Sequence, residues 1–149
     1  MDRYFKEHGI DPDAEYSPGV TYRDEYERQL QLQQNGLNDL TVGEWQHNVK
    51  DYDANKRMGQ DDQADARVDA GGKPGDGKAV LHGPDQYPGG RPDAFDGLGD
   101  SGINSSIGSQ WRRERQGLLN RTNDAIDGIP EELSDLLRFV HMNVRLVPV

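Results

Sequence analysis

The chain contains no cysteine. That excludes disulfides, thiolate zinc sites and cysteine nucleophiles, and it leaves the redox compartment open. Long apolar runs are absent too. None approaches the roughly 18 residues of a membrane span, and no basic-then-apolar stretch at the N-terminus resembles a signal peptide. Leu, Ile, Val and Phe make up only 29 of the 149 residues, which with a net charge of -10 places the composition at the border of disorder. The core must be small, and the six Tyr, two Trp and three Phe must carry much of the burial. Positive charge is scarce, with 17 Lys and Arg against 27 Asp and Glu. That argues against a broad basic surface for nucleic acid, but not against a local basic patch.

What is present is mostly helical patterning. Residues 1–20 carry Gly9, Pro12, Pro18 and Gly19 and read as an extended lead-in to a domain over 21–149. Tyr22, Tyr26, Leu30 and Leu37 then mark one face of a helix expected to end near Asn35-Gly36. Thr41 and Glu44 form a capping box, followed by Trp45, Val49 and Tyr52 on a second helix running to about Arg57. The pair reads as an antiparallel helical hairpin. Over 59–78, Asp61, Asp62, Asp65, Asp69 and Asp76 mix with glycines, giving a frayed helix end and a flexible loop.

Lys78 to Leu81 reads as a short strand, and a glycine-rich run follows to Gly102. A connection of that length is the best place to look for chemistry. Asn104, Ser105 or Ser106 is expected to cap the next helix, whose face is Ile103, Ile107, Trp111 and Leu118. Gly128 stops it and Pro130 starts another, with Leu133, Leu136, Leu137 and Val140 as its buried stripe. Val144, Leu146 and Val149 suggest a terminal strand or extended tail. The fold class is therefore mainly α, a small helical domain with a long glycine-rich loop and one or two short strands.

Histidine followed by aspartate three residues later occurs twice, at His8-Asp11 and at His82-Asp85. The carboxylate of such a pair can orient the imidazole or share a metal with it. Aspartate occurs 19 times, so the spacing is cheap and cannot choose between the copies. Context favours the second, which opens the glycine-rich loop. The loop's other carboxylates, Asp93, Asp96 and Asp100, suit a hard cation or simply turns. Arg112, Arg113, Arg115 and Arg121 form the basic cluster, read either as phosphate contacts or as a solvated helix face. Asn104, Ser105, Ser106 and Gln110 lie near a helix N-terminus, where an anion can bind or where they merely cap.

Three blocks occur in order: Leu37 to Trp45; Leu81-His82-Gly83-Pro84-Asp85-Gln86 with Gly89-Gly90; and Gly99-Asp100 with Asn104-Ser105-Ser106-Ile107-Gly108-Ser109-Gln110-Trp111. With them the chain resembles the bacterial polymorphic toxin type 15 domain, the HxxD nuclease toxins, over about residues 20–149. Tyr87-Pro88 departs from the small apolar residues of the family pattern. The resemblance implies the C-terminal warhead of a secreted effector, delivered by systems such as type VI into the target-cell cytoplasm. It implies a metal-dependent deoxyribonuclease, with Mg2+ as the divalent cofactor and DNA as substrate, neutralised by a cognate immunity protein. His82 and Asp85 would be the catalytic pair, with His82 as general base. Asp85, with Asp100, would bind the metal. Arg112, Arg113, Asn104 and Gln110 would hold nucleic acid. A ribonuclease using the same pair and a non-catalytic acidic interaction module are the competing expectations.

Overall fold

The computed structural model describes residues 1–56 and 59–148. The protein is mainly helical, with five α-helices, a 3-10 helix and two small antiparallel hairpins among the described residues. Arg57, Met58 and Val149 lie outside them.

The N-terminal twenty residues are not an extended lead-in. Helix α1 (Asp2–His8) buries Tyr4 and Phe5, and strands β1 (Glu15–Ser17) and β2 (Val20–Thr21) pair antiparallel. Tyr4 and Phe5 join Tyr26, Leu30, Ile103 and Ile107 in one core cluster, so this segment is part of the packed body. Seven residues are too few for a helix to hold by propensity; the aromatic contacts with Tyr26 supply the missing stability.

Helix α2 (Tyr22–Asp39) starts with a capping box between Thr21 and Asp24. It runs through Gly36, where the sequence suggests a stop. A Cβ on Gly36 would lie 2.1 Å from the carbonyl carbon of Gly83 and 2.4 Å from the Pro84 nitrogen, so this glycine allows another backbone to approach the helix. Helix α3 (Val42–Asn55) carries the expected Thr41-Glu44 box. It does not lie back along α2; it packs on the 3-10 helix, where Gly43 meets Arg138. Within 59–78, where a frayed helix end and then a loop are expected, the helical part is a separate helix α4 (Gln60–Asp69), although it buries no residue. Arg67 secures its C-terminal end by donating to the carbonyls of Lys78 (2.6 Å) and Lys73 (2.8 Å) and to Asp76 (2.7 Å).

Strand β3 (Lys78–His82) pairs antiparallel with β4 (Phe95–Asp100), so the glycine-rich run contains a strand as well as a loop. Helix α5 (Ser101–Asp127) is capped by Asp100, whose carboxylate accepts from Ile103 N at 2.9 Å; Asn104, Ser105 and Ser106 lie inside the helix. Its apolar face joins both core clusters, Ile103 and Ile107 in one and Trp111 and Leu118 in the other. The second cluster also holds Leu37, Leu40, Trp45, Leu137 and Met142. After Gly128 the chain forms a 3-10 helix (Glu131–Arg138), in which only Leu137 of the expected stripe is buried. Leu133, Leu136 and Val140 are about half exposed. The C-terminal segment is an extended tail strapped to α2. Asn38 donates to Val144 O and accepts from Val144 N, and Gln34 accepts from Leu146 N.

Candidate active-site cleft

His82 ends β3 and Asp85 follows on the tightly curled segment 83–90. Its walls explain the curl. Gly90 N donates to Asp85 O (2.9 Å) and Gly89 N to Gln86 O (3.0 Å). From α3, the Trp45 indole donates to Pro88 O and the Asn48 amide to Gly89 O, both at 2.9 Å. Gly89 has φ +125°, and a Cβ there would meet the Trp45 ring at 2.5 Å. Pro84 and Pro88 are fully buried. The glycine content here serves close packing, which binds the loop to α3 at several points.

His82 is 8% exposed, and its ring lies 5.2 Å from that of Phe95 on β4. Gln33, on the buried side of α2, accepts from Asp85 N at 2.9 Å and donates to His82 O at 3.4 Å. Behind it, Glu25 accepts from Gln29 (2.7 Å), Arg28 (2.8 and 2.9 Å) and Asp100 N (3.1 Å). Burial pushes the Glu25 carboxyl up, but the bonds from Arg28, Gln29 and Asp100 outweigh it and hold the group below its usual range.

The pair faces a cleft of about 550 Å³. Helix α5 forms one wall with Asn104, Ser105, Gly108, Ser109 and Arg112, and Tyr52, Gln63, Gln86 and Tyr87 complete it. Asn104, Gly108 and Arg112 recur every four residues, the spacing of one helix face. The Asp85 carboxylate lies 3.7 Å from where a Gly108 Cβ would stand, an ordinary contact distance that places Asp85 against this face of α5. Arg112 is exposed, with no hydrogen bond or ion pair among the described residues. Arg115 is committed instead. It donates to Tyr87 O (2.6 Å) and Asp53 (2.8 Å), and its guanidinium lies over Tyr87 at 4.6 Å. Tyr52 packs edge-on to Tyr87, so the departure at Tyr87 is locked by two partners.

The cleft therefore gathers His82, Asp85, Asn104, Ser105 and Arg112, but not Asp100, Gln110 or Arg113. Asp100 caps α5 and pairs with Lys78, four ladder positions from His82, about 13 Å along the strand. Gln110 donates to Tyr26 Oη at 2.6 Å. Arg113 lines a different groove with Arg3, His8 and Gln110. Asp11 is not part of that groove. Its carboxylate accepts from Asp13 N, and His8 Nδ1 pairs with Tyr4 O at 2.8 Å.

For a divalent cation the cleft offers His82 and Asp85, and no group of three His, Asp or Glu suited to a metal exists among the described residues. A hydrated ion completed by water and substrate phosphate fits this set; a closed protein cage does not. Gln33, Tyr52, Gln63, Gln86 and Ser109 escaped the sequence reading of the site. For Gln33 there was a signal: with Tyr26, Leu30 and Leu37 it occupies i+7 on the apolar stripe, where a polar residue needs a buried partner.

A search of curated proteins finds no match to the chain. The family model described as novel toxin 15 matches residues 20–71 and 72–146, which include both capping boxes, the cleft and the tail. With most of its length matched, the chain belongs to the novel toxin 15 family and is a toxin domain.

Proposed function

We propose that this toxin domain is a nuclease that hydrolyses phosphodiester bonds, with DNA as its substrate. The supporting observation is the convergence of His82, Asp85 and Arg112 from a strand end, a loop and a helix on one cleft. Hydrolysis needs an activated water, charge neutralisation and a proton for the leaving oxygen. His82 takes the proton from the attacking water, against the apolar wall of Phe95 that restricts its ring. Asp85 orients the imidazole or carries the cation, and Arg112 pairs with the substrate backbone. A divalent ion, Mg2+ in this reading, would be held by Asp85, with water and substrate phosphate completing its shell, and would neutralise phosphate charge while leaving the His82 imidazole to act as base. Asn104 and Ser105 offer neutral donors on the same wall, whereas the Ser109 hydroxyl already donates to Ser106 O at 2.8 Å. As part of a secreted effector the domain would act in the target-cell cytoplasm, and a cognate immunity protein would protect the producer.

Supercoiled-plasmid cleavage with Mg2+ tests this, comparing parent, His82→Ala and His8→Ala. Cutting is expected in the parent and in His8→Ala, and lost in His82→Ala by about a hundredfold or more. A folded parent that leaves plasmid intact but degrades RNA would move the reading to a ribonuclease. One that cuts neither would leave an acidic binding module.

A further inference from the structure

The turn that carries the His82-Asp85 pair is held by a residue 49 positions from His82. Gln33 is 3% exposed, and its amide sits between the carbonyl of His82 and the N–H of Asp85. In a closed β-turn these first and last groups bond each other directly. Here the side-chain amide is inserted between them, accepting on one side and donating on the other. A primary amide offers both roles at once. Methionine would fill the volume with neither, and glutamate would present no donor to the carbonyl. Left unpaired, two buried main-chain groups are costly and would draw the turn into another shape. One helical turn on, Gly36 meets Gly83 and Pro84, so α2 grips the segment at two successive points.

We infer that Gln33 is a positioning residue for the His82-Asp85 pair, setting the relation between the two side chains without touching substrate. Its kinetic consequence rests on the nuclease reading; its structural consequence does not. Gln34 supplies the control. It lies on the same helix and accepts from Leu146 N at 2.8 Å, away from the cleft.

The experiment compares parent, Gln33→Met and Gln34→Met in plasmid cleavage, thermal unfolding and the NMR titration of the His82 ring. Gln33→Met is expected to lose on the order of tenfold or more in kcat, with KM little changed, and to shift the His82 titration midpoint. Gln34→Met, which strands one main-chain N–H rather than two groups, is expected to lower Tm less while keeping both. Retention of kcat and the His82 titration in Gln33→Met would overturn the inference, as would an equal loss in Gln34→Met. If the parent cuts no nucleic acid, the nuclease reading fails and the titration decides alone: a shift in Gln33→Met only supports the inference, and anything else ends it. Should Gln33→Met not fold, Gln33→Asn, about 1.5 Å shorter, is read in the same way.

Discussion

The two His-x-x-Asp copies share a spacing and little else. At His8-Asp11 every bond is local. The imidazole pairs with Tyr4 O one turn back, Gly9 ends the helix at φ +62°, and Asp11 accepts from Asp13 N. On the segment that carries His82-Asp85 the partners come from far along the chain: Gln33, Gly36, Trp45, Asn48 and Arg115. A spacing of three residues is cheap. What distinguishes the second copy is that three separate helices hold its backbone in place around a cleft.

That contrast can be broken most forcefully at Gly36. Its Cβ would overlap the Gly83-Pro84 backbone, which cannot swing aside as a side-chain tip can. Gly36→Ala is expected to destabilise the fold by roughly 3 kcal/mol or more, read as a drop in the urea midpoint. Acid gives the next effect. The Glu25 carboxyl is lowered in the folded state, so its contribution is present above the usual 4.5 and is lost as pH falls through the folded value. Thermal stability should fall below about pH 4.5, and less steeply in Glu25→Gln, the cradle of the second copy loosening while the first keeps its local bonds. Arg112→Ala should leave folding intact, raise KM several-fold and flatten the dependence of log KM on log salt by about one unit. The smallest effect is expected from His8→Ala, whose cutting should match the parent.

Local signals were legible in the sequence where local chemistry decides. The Thr41-Glu44 box and the Ile103-Ile107-Trp111-Leu118 face both stand as read. Elements decided by remote contact were not. Helix α1 depends on Tyr26, and β4, with the glycine-bearing sequence FDGLGD, depends on β3 for its pairing. Helix α4 buries nothing, so no apolar period announces it. In the site, His82 and Arg112 were accessible from residue type and motif. Gln33 was passed over because polar residues on a helix are ordinarily read as its solvent side. Asp100 and Gln110 went the other way, polar residues whose groups are already used in holding α5.

Helix α2 reaches across the molecule through Glu25, Gln29, Gln33, Gln34 and Asn38. Beyond α2 itself, the partners of these five side chains among the described residues are main-chain atoms of Asp100, His82, Asp85, Val144 and Leu146. A grip on peptide groups is blind to the side chains mounted on them. Side chains at these positions of the loop and tail can be exchanged without removing the main-chain groups that α2 holds. Such a scaffold is evolvable in a specific sense: its recognition surface can be rewritten while the frame that carries it stays the same.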